Sequence, residues 1–260
     1  MTDDSAVKTP VVGLFATCAV DLIRPAVGFA SAALLEDAGC TVTVPEQSCC
    51  GQVAWNNGLG AEARVLARQL MAQFADVDYV VVPSGSCASM LKNHYPTLFS
   101  NPQDILAAQE FAGRVYELTC FLRDVLDYRP SPAQPTAGNE KKVVYHDSCA
   151  GLRELGIRTQ PRDLLASLGV TVVDPQDCDV CCGFGGTFCV KFEDISAKMV
   201  ADKARNIAAQ APDVVLGGDL TCLLNIAGKL QRDGHDHIDV RHVAEYLADA
   251  TQHPAIGHSE

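Results

Sequence analysis

Short uninterrupted apolar runs recur along this chain, and each is followed by a segment in which apolar residues return every three or four positions. Val11-Val12-Gly13-Leu14-Phe15-Ala16 is a run of the kind found in strands buried on both faces. Residues 23–38 then place Ile23, Val27, Ala30, Leu34 and Ala38 at helical spacing, with Gly39 as the stop. Thr41-Val42-Thr43-Val44 reads as a second strand. A helix is predicted over about 60–75 with Ala63, Leu66, Ala67, Leu70 and Phe74 on one face, and Tyr79-Val80-Val81-Val82 as the strand that ends at Pro83.

The same order returns later. Lys142-Val143-Val144-Tyr145 is a strand, residues 161–168 a helix, Val170-Thr171-Val172-Val173 a strand, and residues 194–210 a long helix with Ala197, Val200, Ala204, Ile207 and Ala208 on one face. Asp213-Val214-Val215-Leu216 closes the series. Strands alternating with helices predict an α/β fold, here two duplicated Rossmann-like halves with parallel sheets. The proline- and glycine-rich stretch 130–140 reads as a linker between a first half over 8–129 and a second over 141–250, and residues 251–260 are expected to fray, with His253 and His258 solvated.

Cysteine spacing sharpens that picture. A lone Cys18 precedes the pair Cys49-Cys50 by 30 residues, and Cys87 follows the pair after 36; Cys149, Cys181-Cys182 and Cys222 repeat the order with gaps of 31 and 39. Each thiol falls in a loop just past a strand, where ligands gather in an open parallel sheet. The pairs are followed by Gly51 and Gly183, which permit a sharp turn and bring backbone N–H groups toward the sulfurs. The pattern is therefore one four-thiolate site per half, from Cys18, Cys49, Cys50 and Cys87 and from Cys149, Cys181, Cys182 and Cys222. Structural zinc sites commonly use two short C-x₂-C knuckles, whereas ligands from three loops in a one-two-one order suit an iron–sulfur cluster; zinc remains the alternative.

Composition narrows the function classes. With 260 residues, 48% hydrophobic content and mean hydropathy +0.08, the chain can bury a sizeable core. A net charge of −12 argues against nucleic acid as a partner. The polar start Met1-Thr2-Asp3-Asp4-Ser5 lacks the pattern of a signal peptide, and no apolar run is long enough for a transmembrane segment. A cytoplasmic location is expected, and there twelve cysteines indicate metal ligands or buried thiols rather than disulfides. Gly183-Phe184-Gly185-Gly186 is not a dinucleotide fingerprint, so neither flavin nor nicotinamide is indicated.

The doubled Cys…Cys-Cys-Gly…Cys pattern resembles the cysteine-rich CCG domain of heterodisulfide reductase, the iron–sulfur subunit of glycolate oxidase and the anaerobic glycerol-3-phosphate dehydrogenase. Ser48-Cys49-Cys50-Gly51-Gln52, Pro83-Ser84-Gly85-Ser86-Cys87, His94-Tyr95-Pro96, Tyr145-His146-Asp147-Ser148-Cys149, Gly151-Leu152-Arg153-Glu154-Leu155-Gly156, Cys181-Cys182-Gly183-Phe184-Gly185-Gly186-Thr187-Phe188 and Cys222-Leu223 are similar, more closely, to the lactate utilisation protein A family, over residues 11–248. The resemblance implies an iron–sulfur oxidoreductase subunit that works with a ferredoxin-like iron–sulfur protein and a third protein to oxidise L-lactate to pyruvate, holding one [4Fe-4S] cluster per half, with zinc as an alternative in one half. Other implied readings are a thiol- or disulfide-reducing enzyme and a zinc-stabilised interaction module. The broader domain often ends in C-x-x-C, but Ser84 and Asp219 stand at the first positions of those pairs, which favours an ordinary four-iron cluster over five-thiolate chemistry. Cys178 is the candidate fifth ligand of the second half.

No catalytic residue is identified. His146 reads as a hydrogen-bond or proton-relay group or a satisfied polar residue, and Arg24, Lys92 and Arg153 as carboxylate holders or surface charges. Trp55 reads as a wall of the site, Asp147 and Ser148 as helix caps, and Cys40, Cys120 and Cys189 as structural thiols.

Overall fold

The apolar runs form the centres of two sheets in the computed structural model, which describes residues 9–131 and 141–258; the remainder of the expected linker, 132–140, lies outside the described residues, as do 1–8 and 259–260. The first sheet comprises β1 (Val11–Leu14), β2 (Thr41–Thr43), β3 (Tyr79–Val82) and β4 (Val115–Glu117) in the order β2-β1-β3-β4. The second comprises β5 (Val143–His146), β6 (Val172–Val173), β7 (Val214–Gly217) and β8 (Asp239–His242) in the order β6-β5-β7-β8. Every pairing is parallel, so the fold is α/β in two copies of one plan. The strands before the cysteine loops, β1, β3, β5 and β7, are buried almost throughout, as continuous apolar runs require.

Differences from the sequence reading have local causes. The helix expected over 23–38 is two helices, Cys18–Ile23 and Pro25–Asp37, because Pro25 cannot continue a helix and starts a new one at its first position. β4 and β8 contain Glu117, Asp239, Arg241 and His242, so they carry no apolar run to announce them. The tail does not fray as expected: Ala255 and Ile256 are buried, the Ile256 N–H donates to the Val240 carbonyl, and Arg241 and Arg24 donate to the carbonyls of His253 and Pro254.

The halves share a core. One apolar cluster joins Val12, Leu14, Leu35 and Val81 of the first half to Val144, Val215, Leu216 and Val243 of the second, while the buried residues of another, around Phe15, Phe74 and Tyr95, come from the first half, with Leu155 of the second packed against them. Helix Pro25–Asp37 packs on helix Val243–Leu247, and Arg24 pairs at 2.9 Å with the buried carboxylate of Glu245. Nearer the cysteines, helices Gly85–Ser89 and Cys149–Glu154 meet closely: a Cβ on Gly85 would lie 2.7 Å from Ser148 Oγ. Ser84 Oγ donates to Asp219 Oδ2 at 3.1 Å and the Ser86 N–H donates to the same oxygen at 3.0 Å. Ser84 and Asp219 occupy the same position in the two repeats, three residues before Cys87 and Cys222, so the carboxyl edges of the sheets face one another across this pair.

Both Cys-Cys-Gly turns place glycine at φ +84° and aim its N–H at the first sulfur of the pair, at 3.5 Å from Gly51 to Cys49 and 3.4 Å from Gly183 to Cys181. Their surroundings differ. A Cβ on Gly183 would lie 2.8 Å from the Ser196 carbonyl oxygen, whereas a Cβ on Gly51 would find nothing nearer than 3.6 Å. Glu117, at the end of β4, is 4% exposed, and its Oε2 accepts from Thr119 N, Thr119 Oγ1 and Cys120 N at 2.8, 2.6 and 3.1 Å. Burial pushes its carboxyl up to about 7, against the pull of those donors and with a smaller push from Asp219.

Two outcomes are expected. In the metal-free protein, Gly51→Ala should cost about 1–2 kcal/mol for a left-handed alanine, and Gly183→Ala should cost at least about 1 kcal/mol more because its methyl meets backbone; urea unfolding of both variants measures the difference. The raised folded-state value of Glu117 means that its contribution to stability is present below the unfolded carboxylate range and is lost as pH rises toward 7. Wild type should therefore lose on the order of 2 kcal/mol relative to Glu117→Gln between pH 5 and pH 7.5; parallel urea titrations with no such divergence would contradict this.

Candidate metal centres

Each half delivers its sulfurs by the same three devices. Cys18 and Cys149 open the short helices after β1 and β5, with Thr17 Oγ1 and Ser148 Oγ accepting from Val20 N and Gly151 N as caps. Cys87 lies in helix Gly85–Ser89 after β3, capped by Ser84, and Cys222 in the first turn of helix Leu220–Arg232 after β7. The paired cysteines come from the glycine turns after β2 and β6.

These devices bring the predicted thiols together in two quartets. Cys50 Sγ lies 3.4 Å from Cys87 Sγ, and the free thiols of Cys18 and Cys50 are placed to donate hydrogen bonds to Cys49. In the second half Cys181 Sγ lies 3.8 Å from Cys149 Sγ, and the free thiol of Cys182 is placed to donate a hydrogen bond to Cys181 or Cys222. Within each quartet one sulfur is favoured as the thiolate. The Cys18 thiol, then Cys50 and the Gly51 N–H hold Cys49 far below the usual thiol range, and Cys149, Cys182 and the Gly183 N–H do the same for Cys181. Their neighbours Cys18, Cys50, Cys149 and Cys182 are pushed up, first by donating to that thiolate or its neighbour and then by burial. A cation among the sulfurs removes this opposition, because it neutralises several thiolates at once.

The donor chemistry fits a thiolate-bound metal group. One sulfur pair in each half, at 3.4 Å for Cys50–Cys87 and 3.8 Å for Cys181–Cys149, approaches a single edge, about 3.8 Å, of a site where four sulfurs surround one ion at about 2.3 Å. An iron–sulfur cluster holds its thiolates further apart, and the space for that lies alongside. All eight cysteines line one cavity of about 330 Å³ between the halves. Ser84, Ser86, Asp219 and Thr221 form part of its wall, with Trp55, His94 and Glu154 elsewhere on it. The turns also meet each other, since Asn57 Nδ2 donates to Thr187 Oγ1 at 3.1 Å.

Other residues singled out from the sequence go elsewhere. Arg24 is taken by Glu245, Lys92 donates to the Ala112 and Val115 carbonyls, and Arg153 donates to the Asp179 carbonyl. Among the described residues no lysine or arginine lines the cavity. Cys178 Sγ accepts from Arg158 at 3.8 Å, and neither it nor Cys189, whose thiol donates to the Gly186 carbonyl, lines the cavity. Cys40 is buried in the core. Cys120, at the end of helix Leu118–Cys120, is also absent from the cavity wall. Ser148 is the cap, while Asp147 is held by two bonds of 2.8 Å from Arg162. His146 is 3% exposed, burial lowers it to about 4, and its ligand atom and the sulfurs of Cys182 and Cys222 lie within 4.8 Å of one another. The Ser84–Asp219 contact was not foreseeable from spacing, although the two residues share a repeat position.

A model of the family described as "Cysteine-rich domain" (CCG) matches twice, over residues 12–92 and 143–227. Lactate utilization protein A of Exiguobacterium sp. is 43% identical over 92% of this chain and 97% of its own length, and that of Geobacillus kaustophilus is 45% identical over 91% and 98%. Among solved structures, a hypothetical protein from Helicobacter pylori superposes with a TM-score of 0.60 at 9% identity over 96% of this chain, which spans 50% of that longer one, a likeness of fold alone. With both cysteine sets inside the matched segments and identity above 40% along nine-tenths of its length, the chain belongs to the lactate utilization protein A family of two-copy cysteine-rich domain proteins.

Proposed function

We propose that this chain is the iron–sulfur component of a multi-protein system that oxidises L-lactate to pyruvate, and that it handles the electrons rather than the hydroxy acid. One observation carries the reading: eight cysteines from six separate segments converge as two quartets on a single cavity. Cys18, Cys49, Cys50 and Cys87 would hold one [4Fe-4S] cluster, and Cys149, Cys181, Cys182 and Cys222 the other. Such a cluster supplies electron transfer when bound. The surrounding residues support that role, with Gly51 and Gly183 directing N–H groups at sulfur and the buried strand ends limiting water. Lactate is a carboxylate, and a pocket that selects one ordinarily offers arginine or lysine. The cavity wall offers neither among the described residues, which favours partners as the place of substrate binding. The names of the relatives, as protein A of a lactate utilization set, support the existence of further subunits; a ferredoxin-like iron–sulfur protein and a third protein are the partners proposed. Among the described residues no helix is long and apolar enough to cross a membrane, and we place the system in the cytoplasm.

A second reading has one observation in its favour. The one short sulfur–sulfur pair in each half matches an edge of a single-ion site, so zinc in one half, with a structural or interaction role, is the competing assignment.

Anaerobic purification followed by iron, acid-labile sulfide and zinc analysis, with EPR after dithionite reduction, decides between them. Iron and sulfide in both halves with a reducible signal are expected; zinc alone in both would sink the electron-transfer role. Cys50→Ser and Cys181→Ser should each remove about half of the metal, since a hydroxyl is a poor substitute for thiolate. Cys178→Ser and Cys189→Ser should leave the metal content unchanged.

A further inference from the structure

We infer that His146 is a nitrogen ligand of the second metal centre, so that the two centres have different donor sets: four thiolates in the first half, thiolates with an imidazole in the second. This rests on the reading of the quartets as metal sites.

The strands of the two halves pair in the same register here, Val12 with Tyr79 and Val143 with Val214, and the contrast is a single side chain. His146 stands three residues before Cys149 at the end of β5; Phe15 stands three residues before Cys18, just past the end of β1. Both are buried, Phe15 at 0% exposure and His146 at 3%. Phe15 is satisfied by hydrocarbon, edge-on to Phe74 at 6.0 Å, which shows that the fold needs nothing more than an apolar filler at this place. An imidazole there carries one N–H and one lone pair that must find partners.

Neither ring nitrogen of His146 has a hydrogen-bond partner among the described residues. The polar groups around it are committed elsewhere. Asp147 is held by Arg162, Asp219 by Ser84, the Ser86 N–H and Thr221, and Lys203 Nζ by the carbonyls of Asp177 and Cys178. Left so, a buried polar group is destabilising, and native folds rarely tolerate it without a role. What the ring does face is sulfur: its ligand atom and those of Cys182 and Cys222 are mutually within 4.8 Å, close enough to share one metal atom after small side-chain rotations. Coordination through the lone pair answers the unmet need, and an imidazole nitrogen among the sulfur donors makes the second centre the harder of the two.

The test uses full-length protein labelled with ¹⁵N-histidine, as wild type and as His146→Phe, the replacement that the first half already accommodates at Phe15. If the second centre holds iron, pulsed EPR of the reduced protein should show a directly bonded nitrogen that is absent from His146→Phe; if it holds zinc, X-ray absorption should show imidazole scattering that His146→Phe loses. Chelator challenge should strip metal from that variant at least about tenfold faster. The wild-type nitrogen signal needs no variant, so it decides the matter even if His146→Phe folds poorly. Metal at full content with sulfur-only ligation, unchanged in His146→Phe, would overturn the inference while leaving the proposed function standing. Failure of the second quartet to bind any metal would bring down both, and the metal count distinguishes the two results.

Discussion

Thiols packed against one another cannot all ionise, and the architecture around each quartet is arranged about that electrostatic conflict. One sulfur in each half, Cys49 or Cys181, is held as thiolate by its neighbours and by the N–H of the glycine that follows the pair, while Cys18 and Cys149 are pushed up by donating to it and by burial. A multiply charged metal group is the natural resolution, because it converts mutual repulsion among thiolates into shared attraction. The glycine turns, the capped helix starts and the buried strands all serve to hold sulfur in place against that repulsion.

Duplication extends the same logic to the whole chain. Two parallel sheets of identical order present their carboxyl edges to one another, and the space between them is the cavity that all eight cysteines line. The contact that sets this apposition uses repeat-equivalent residues, Ser84 and Asp219, with Gly85 and Gly151 allowing the helices near them to approach. The side chains three residues before the last cysteine of each set are thus part of the joint between halves. The shared apolar core, and Arg24 with Glu245, make that joint a fixed one.

The symmetry is incomplete, and the departures fall near the second quartet. Gly183 is confined by Ser196 where Gly51 has room, and His146 replaces Phe15. Two centres with one backbone plan and unequal surroundings are suited to unequal roles, since the potential of a thiolate-bound cluster follows its charge, hydrogen bonds and exposure. Cys18 is exposed whereas its counterpart Cys149 is half-buried, which adds to the inequality.

Local sequence determined a great deal of this protein. Buried parallel strands are apolar throughout, so β1, β3, β5 and β7 declared themselves in runs of valine and leucine, and the one-two-one cysteine spacing is written in the chain twice. β4 and β8 were silent because they end in Glu117 and His242, which serve as helix caps at strand ends and break the apolar run. The packed tail was silent too, since its order comes from backbone bonds to distant Val240, Arg241 and Arg24 rather than from its own composition. Only the tertiary structure decided that the two halves face each other, that Ser84 meets Asp219 over 135 residues of sequence, and that His146 turns toward sulfur while Arg24, Lys92 and Arg153 turn away. Strand identity and cysteine spacing are properties of short segments, whereas the direction of a side chain and the partner it finds depend on what the folded chain brings from far away.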